Sequence, residues 1–579
     1  MSVVWRKVVL FSVFIALLTA TACSSKNNAD SSQRASAAPP SPASSTASGS
    51  ASPDRSEYVI KAFSEDASWK LKRSDETAVG KIIKEKFGIV LEYVPFSGDY
   101  RNQLNLMLAS GDYPEILRLE QNDLVQKYIK AGAALPLDEY LPNMPNFSEA
   151  YQNQIPYWRL AADDGKLYKW EMRMPQEFNP ATCDCLDMAI RHDVLKEAGY
   201  PTIVNSDDYI AFLKAALEKH PTTNGKKTIG MTLPLAESWG VAGLTQALYQ
   251  KGANIAGVGN GAVVFDLKDQ KFVDMFLNPY VKESFQFMNK AYRAGLINDE
   301  SFTAKLDQVT EQINSGQALS IFYTVWTVEP ANRTFEQAGN KDSQYVRMPI
   351  QSPAALNNRE KRLVTVENVR PFDSVIITKN TKHPERIVEL LEYLSSDEGQ
   401  ILVNTGVEGV DYTMVDGKRV LSADFEQRLA SGDFINKDGA MIFQIFGLMM
   451  TKSKSDGQFY NLTTDPGNIS KSITPTVLEA YRAMGWSDPY QWWEENAIVV
   501  PKDLIVTVQV DPASAIGAAE QKLIQFRVKN TPQLILAKDD ADFEALYQKL
   551  SEQYNQLKPQ QVWDEYNRQY QELAAKVKK

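Results

Sequence analysis

The chain has 579 residues and a formal net charge of −10, with 44% hydrophobic and 10% aromatic side chains. This is the composition of a folded protein that is too long for a single core, so at least two lobes are expected. The excess of 72 acidic over 62 basic side chains argues against a nucleic-acid partner, because a phosphate backbone attracts basic surfaces.

The N-terminal residues predict export. Arg6 and Lys7 precede an apolar run at 8–18 that is too short to cross a membrane, which is typical of a signal peptide over residues 1–22. The next letters, "TATAC", end at Cys23 and resemble the lipobox of bacterial lipoproteins, in which this cysteine is diacylated. An ordinary secretory signal cut nearby is the alternative. The lipobox implies a chain anchored by lipid to the outer face of the cell membrane.

Residues 23–56 predict a disordered tether. These residues are mostly Ser, Ala, Pro and Gly, which cannot bury enough apolar surface to offset the conformational entropy lost on folding. The tether would hold the folded part clear of the membrane.

Apart from Cys23, the only cysteines are Cys183 and Cys185. They could form a small strained disulfide or remain two thiols. Two such ligands without a histidine or a second cysteine pair nearby make a poor zinc site. The sequence therefore predicts no metal and no other cofactor.

After residue 57, hydrophobic periodicity alternates regularly between strand and helix. The predicted elements are a strand at 58–63, a helix at 75–87, a strand at 89–94, a helix at 99–110, a strand at 115–119 and a helix at 121–131. This alternation implies a parallel sheet with right-handed crossovers, in which ligands bind beyond the carboxyl ends of the strands. The segment 118–123 lies at such an edge.

A second alternating series follows. Its predicted strands are near 186–190, 228–233, 318–323 and 373–379, and its helices are at 192–198, 206–219, 240–250, 279–294 and 384–403. Beyond residue 420 the spacing becomes mostly helical, at 515–529, 541–557 and 559–579. Two α/β series predict two lobes joined by several strand-like connections.

Six phrases carry a resemblance to a known family. They are "ASGDYPEIL" (109–117), "AGAALPLDEY" (131–140), "DDGKLYKWEMRMP" (163–175), "SGQALSIFY" (315–323), the stretch 383–420 and "ADFEALYQKLSEQYNQL" (541–557). Their order and spacing resemble extracellular solute-binding proteins of the oligosaccharide class, relatives of maltose-binding protein, and in particular the large lipoproteins of Gram-positive bacteria. The resemblance implies an α/β, two-lobe, periplasmic-binding-protein-like type II fold with a helical C-terminal extension.

The resemblance also implies domain boundaries and partners. Lobe 1 is expected from 57–175 and 326–378, and lobe 2 from 176–325 and 379–579, with the assignment of 430–579 left open. The implied function is to capture an oligosaccharide between the lobes and deliver it to the permease subunits of an ABC importer. The chain is expected to be a monomer that touches the membrane only through its lipid.

Many relatives carry a calcium loop after the helix that matches 206–219. Here the segment is "KHPTTNGKKTIG" (219–230), which has His, Pro and Thr where acidic residues should stand. Because calcium requires six to eight oxygen ligands, usually with several carboxylates, no calcium is predicted at this loop.

A sugar cleft pairs aromatic platforms with amide, carboxylate and arginine side chains. The candidates near predicted strand ends are Trp69, Arg118, Glu120, Gln121, Asn122, Trp170, Trp239 and Trp326. The matching loop in relatives implies sugar contact by the group at 118–122, for which a solvated loop is the alternative. Core packing is the alternative for the tryptophans. Arg118 leaves an acidic sugar open as the ligand.

Two other functions compete. A secreted glycan hydrolase could use Glu494 and Glu495, but adjacent acids point in different directions, whereas hydrolysis needs two carboxyl groups that face each other. The sequence therefore predicts a binding protein and not an enzyme. A surface sensor that presents its ligand to a receptor kinase would need the same cleft and anchor, so this alternative stays open.

Overall fold

The computed structural model describes residues 55–64, 73–120, 122–173, 175–179, 188–237, 255–257, 262–366, 368–431, 439, 441–465, 468 and 473–577. The strands are, in chain order, β1 (Tyr58–Phe63), β2 (Ile89–Tyr93), β3 (Ile116–Leu119), β4 (Trp170–Glu171), β5 (Met188–Arg191), β6 (Thr222–Thr223), β7 (Lys226–Lys227), β8 (Ile255–Gly257), β9 (Val263–Asp266), β10 (Lys271–Asp274), β11 (Ser320–Phe322), β12 (Tyr345–Met348), β13 (Arg362–Val366), β14 (Ser374–Ile377), β15 (Tyr412–Val415), β16 (Lys418–Leu421) and β17 (Ala497–Pro501).

The helices are α1 (Ala78–Phe87), α2 (Tyr100–Ser110), α3 (Asn122–Lys130), α4 (Pro145–Ala150), α5 (Ile155–Arg159), α6 (His192–Glu197), α7 (Ser206–Lys219), α8 (Pro279–Arg293), α9 (Leu306–Asn314), α10 (Val328–Gln337), α11 (Pro353–Asn357), α12 (Pro384–Leu394), α13 (Asp397–Asn404), α14 (Ala423–Ser431), α15 (Pro475–Ala483), α16 (Gln491–Asn496), α17 (Asp503–Thr507), α18 (Ala515–Ile535), α19 (Asp540–Asn555) and α20 (Gln560–Val577). None of the helices in the described part of the chain is both long enough and apolar enough to span a bilayer.

Lobe 1 is built on a sheet in the order β2-β1-β3-β14-β4. β1 pairs in parallel with β2 and β3, as the alternation of strands and helices predicts, while β14 and β4 run antiparallel to their neighbours. One face of the sheet packs with α1 and α12 in a common core, and the other face packs with α2 and α3. Both faces are covered because each helix turns an apolar stripe toward the sheet.

The helices α12 and α13 and described residues between 441 and 460 contribute to the lobe 1 core, whereas the expected boundaries placed them in lobe 2. Leu390 of α12, Phe443 and Tyr460 share one core with Ile60 of β1. The segment 326–350 was expected in lobe 1 but lies in lobe 2, because β12 pairs with β5 of that lobe. An amphipathic helix shows in sequence that it packs on something, but not which of two sheets it packs on.

The helix predicted at 384–403 is in fact two helices. Ser396 caps the start of α13, and its side-chain oxygen accepts a hydrogen bond from Gly399 N at 3.1 Å. A side chain at Gly399 would collide with the carbonyl oxygen of Tyr393, so the sharp turn between the helices requires glycine there. The sequence carries a signal for this second start, because serine followed by acidic residues is typical of a helix N-terminus.

Lobe 2 is built on the antiparallel sheet β11-β5-β12. The strand predicted at 228–233 is observed only as single bridges, from Ile229 to Ala318 and from Thr232 to Ile321. The main core of this lobe includes Leu213 of α7 and Tyr481 of α15, so residues around α15 also belong to lobe 2.

The C-terminal extension comprises α17 to α20 packed on the small sheet β10-β9-β8. Phe285 of α8 shares this core, which joins the extension to lobe 2. The extension also reaches lobe 1, because Asn368 donates its backbone N–H to Asp503 of α17 at 2.6 Å, and α17 lies against α5. The helical C-terminal region therefore contacts both lobes.

Candidate ligand-binding site

Polar side chains gather at one edge of the lobe 1 sheet. β1, β2 and β3 are parallel, so their carboxyl ends meet at the same edge. The antiparallel pairing of β14 and β4 sets Ser374 level with Leu119 and Glu171. The start of β14 and the end of β4 therefore lie at the edge where the parallel strands end.

Three arginines surround Asp373 at this edge, and we call the four residues the arginine cluster. Arg118 donates to Asp373 Oδ1 at 2.9 Å. Arg370 and Arg173 approach the other carboxylate oxygen at 3.3 Å and 4.0 Å. Asp373 is only 1% exposed, and burial by itself would raise the pKa of its carboxyl, but the three guanidinium groups outweigh burial and hold that pKa below its usual value.

A second ion pair fastens β4 to β14. Lys169 Nζ lies 2.8 Å from Glu171 Oε1 and also donates to Ser374 Oγ at 2.9 Å. The other oxygen of Glu171 accepts from the backbone N–H of Arg370 at 2.6 Å. Both members of the pair are buried, so these bonds hold together the segments through which the chain leaves lobe 1.

Lobe 2 presents an aromatic pair at its own edge. β5 is the first strand after the chain leaves lobe 1, and Met188 at its start pairs with Phe322 at the end of β11. Immediately after this edge lie Tyr323 and Trp326, whose ring centroids are 5.8 Å apart at an interplanar angle of 79°. Trp326 is 47% exposed, so much of its ring is open to a ligand.

Tyr323 has a φ of +73°, a left-handed conformation that is rare for a bulky residue. Such backbone strain persists only where the surroundings enforce it, and it concentrates at functional sites. Here it turns the chain sharply between β11 and the residues that carry Trp326. The turn therefore adds a local reason to regard this edge as part of a site.

The predicted site residues are distributed unevenly. Arg118 lies in the arginine cluster, Glu120 directly follows β3 and is half-buried, Asn122 begins α3, and Trp326 is exposed at the lobe 2 edge. Trp69, Gln121, Trp239 and the cysteines Cys23, Cys183 and Cys185 lie outside the described residues.

Trp170 lies in the core of lobe 1. It has no exposed surface, and its indole N–H donates to the carbonyl oxygen of Ile445 at 2.8 Å. This arrangement matches the core-packing alternative, and no polar group of Trp170 is left to face a ligand.

The residues at these edges that were not predicted from the sequence are Lys169, Glu171, Arg173, Arg370, Asp373 and Tyr323. A signal was present in "KWEMR" (169–173), where charged residues alternate with apolar ones. The phrase "RPFDS" (370–374) likewise places opposite charges just before a strand. Charged residues at the ends of two strands come together only if the two strands are neighbours in the sheet. The sequence does not show which strands are neighbours.

The segment expected to lack calcium forms a tight hairpin. β6 and β7 pair through Thr222 and Lys227, and His220 lies 2.6 Å from Glu197. Lys219 pairs with the same glutamate at 3.1 Å. Among the described residues, no group of three or more His, Cys, Asp or Glu side chains is arranged to hold a metal ion.

Glu494 and Glu495, the pair considered for hydrolysis, lie on α16. Both are exposed, whereas Trp492 and Trp493 beside them are buried in an aromatic cluster with Val364. The tryptophans therefore pack the protein interior and do not form a sugar platform next to these acids.

Comparison with known proteins adds independent findings. A profile of the family described as bacterial extracellular solute-binding protein matches residues 73–401. Lipoprotein LipO of Bacillus subtilis is 26% identical over 59% of this chain, and FusA of Streptococcus pneumoniae, a fructooligosaccharide ABC transporter substrate-binding protein, is 23% identical over 38%. The matched regions span 66% of LipO and 40% of FusA, less than two thirds of either relative.

The fold also matches solved structures. The alginate-binding protein AlgQ2, in a crystal structure without calcium ion, superposes with a TM-score of 0.61 at 16% identity. The match covers 89% of this chain and 98% of AlgQ2. At this identity the likeness shows the shared two-lobe fold.

Proposed function

Since this chain belongs to the bacterial extracellular solute-binding protein family, we propose that it captures an oligosaccharide between its two lobes and delivers it to an ABC importer. The family binds solutes without making or breaking bonds in them, so the chain is a binding protein and not an enzyme. The curated relatives support a carbohydrate as the ligand, because one of them is named for fructooligosaccharide transport.

The proposal rests on two sheet edges, one in each lobe, which we propose to face each other across the ligand. Lobe 2 offers the exposed ring of Trp326 beside Tyr323, and lobe 1 offers the arginine cluster and Glu120 at the ends of its strands. Sugars present flat apolar ring faces bordered by hydroxyl groups, so they fit an aromatic platform opposite charged and amide side chains. Trp326, Glu120 and Asn122 are our proposed contacts, and Trp69, Gln121 and Trp239 remain predictions.

Binding is proposed to close the two lobes over the sugar. A ligand that touches both edges has more contacts in the closed state, so it shifts the population toward that state by its difference in affinity. The bonds of Lys169, Glu171 and Ser374 hold the exit from lobe 1 rigid, which favours bending in the connections beyond it. The closed form is then the state that a permease recognises.

The arginine cluster limits how an acidic sugar could bind. Arg118 is already bonded to Asp373, so a uronate would have to meet Arg173, whose side chain is 36% exposed. A charge-assisted bond contributes about 1.5–3 kcal/mol, while a micromolar ligand needs about 8 kcal/mol in total. Stacking and hydroxyl contacts must therefore supply most of the affinity even for an acidic sugar.

We also propose a cellular location for the protein from its N-terminal sequence. A diacylated Cys23 with the tether at 23–56 would place the folded part at the outer face of a Gram-positive cell membrane. The likeness to a protein named as a lipoprotein supports this, as does the extracellular character of the family.

A thermal-shift screen of the lipid-free chain against neutral and acidic oligosaccharides tests the proposal. A ligand present at about 100 times its dissociation constant adds ~2.7 kcal/mol to stability, which gives a measurable rise in melting temperature. If none of the oligosaccharides raises the melting temperature while another class of solute does, the assignment to carbohydrate is wrong.

A further inference from the structure

A groove lies beside the segment through which the chain leaves lobe 1, a segment that we call the hinge. It consists of two adjoining cavities of about 620 Å³ and about 320 Å³, and we call it the hinge groove. The cavities share wall residues Ala150, Gln152, Pro175 and Thr451. A space of this size is within the range of small-molecule sites.

The walls of the larger cavity come from three parts of the fold. Tyr157 of α5 belongs to lobe 1, Gln176 belongs to the segment that leaves lobe 1, and Asp503 of α17 belongs to the C-terminal extension. None of the residues in either cavity wall belongs to the arginine cluster or to the Tyr323–Trp326 pair. The groove is therefore a separate place in the described part of the chain.

Five side-chain amides line the larger cavity. They are supplied by Gln152, Asn153, Gln154, Gln176 and Asn368. Each primary amide offers two N–H donors and a carbonyl acceptor without carrying charge. A sugar hydroxyl both donates and accepts, so a wall of amides matches several hydroxyl groups at once. Half-buried Tyr157 adds an aromatic face beside them.

Both lysines in the groove wall are paired with carboxylates. Lys454 pairs with Glu149 at 2.8 Å, and Lys452 pairs with Glu177 at 3.0 Å. Asp397 accepts a hydrogen bond from the hydroxyl of Tyr460 at 2.7 Å. Because both lysines are neutralised by carboxylates, the groove favours an uncharged ligand over an anion.

We propose that the hinge groove is a second carbohydrate site, which binds an uncharged saccharide through side-chain amides. This goes beyond the interlobe capture proposed above, because the groove needs no closure of the lobes to form. The site would hold a second saccharide next to the hinge.

Calorimetric titration with uncharged gluco-, fructo- and manno-oligosaccharides tests the site. Gln152 is exposed and lines both cavities, so Gln152→Trp fills the groove without emptying the core. The matched control is Gln553→Trp, at an exposed glutamine on α19. Asn153→Leu, which removes an amide at nearly constant size, is a second variant if Gln152→Trp fails to fold.

We expect a binding event that Gln152→Trp or Asn153→Leu weakens by about tenfold or more and that Gln553→Trp leaves unchanged. The event should persist in Trp326→Ala, which alters only the interlobe site. Loss of an event in the groove variants alone supports the second site even if the interlobe proposal fails. If every event survives Gln152→Trp and Asn153→Leu, or no uncharged oligosaccharide binds, the second site is refuted.

Discussion

Arg118 and Asp373 form a buried ion pair between two adjacent strands of lobe 1, with a distance of 2.9 Å between Nη2 and Oδ1. Their side chains are 9% and 2% exposed, and the two residues are 255 positions apart in the chain. The pair therefore ties the end of β3 to the start of β14. Arg118, which the sequence predicts as a sugar contact, therefore also supports the fold at this edge.

We expect Arg118→Ala to destabilise the protein. Removing one partner leaves the buried carboxylate of Asp373 with Arg370 and Arg173 only, so the expected loss is roughly 1–3 kcal/mol. Urea unfolding measures this change. An unaltered free energy of unfolding together with weaker sugar binding would contradict the structural role and would favour direct contact with the ligand.

Trp326→Ala should weaken sugar binding and leave stability nearly unchanged. Because Trp326 is 47% exposed, its loss should scarcely change stability, while the lost stacking should raise the dissociation constant for the oligosaccharide about tenfold, equivalent to about 1.4 kcal/mol. The matched control is Leu536→Ala, a residue that is also 47% exposed but lies at the end of α18 in the extension. Equal affinities of the two variants would remove Trp326 from the site.

Trp170→Ala is expected to cost about 3–5 kcal/mol of stability, because it empties a fully buried indole position. Trp170→Phe keeps an aromatic ring but removes the indole N–H that donates to the carbonyl oxygen of Ile445. This loss should cost about 1–2 kcal/mol of stability. Urea unfolding separates the two variants. A fall in sugar affinity at constant stability would show instead that Trp170 faces the ligand.

Much of lobe 1 could be predicted from the sequence. Strand β1 at 58–63 was predicted with the observed ends, and the helices and strands up to α3 were placed within a few residues. The reason is local, since each element carries its own period and its own caps, such as the αL glycine Gly111 after α2. The helices of the C-terminal region were found for the same reason.

The arrangement of the site depends on contacts that have no local signal. The sequence could not indicate that α12 packs with β1 and not in lobe 2, because its apolar stripe fits either sheet. It could not indicate that Arg118 meets Asp373, because a charge beside a strand looks the same whether its partner is solvent or a buried carboxylate. Tertiary packing determines both outcomes.

The extension should respond to pH through Asp274. Its carboxyl accepts a hydrogen bond from the hydroxyl of Tyr554 at 2.8 Å, and burial raises its pKa from 3.8 to about 6. The folded protein thus binds the proton more tightly than the unfolded chain does. This contribution to stability is present below about pH 4 and is lost as the pH rises through about 6, a change of roughly 3 kcal/mol at most.

Asp274→Asn should remove this dependence, because the amide stays neutral in the buried position. Unfolding at pH 7.5 should then require more urea than in the parent chain, and the stability profile between about pH 4 and pH 6 should flatten. Asp307→Asn, at an exposed carboxylate on α9, serves as the control. A variant whose profile keeps the slope of the parent would show that Asp274 is ionised in the fold at all these pH values.

We propose that the two lobes close on a carbohydrate. Small-angle X-ray scattering of the chain with and without the oligosaccharide that gives the largest thermal shift measures this closure directly. We expect a smaller radius of gyration when the sugar is bound, with the change reduced in Trp326→Ala at the same sugar concentration. Identical scattering curves at saturating sugar would contradict closure of the lobes.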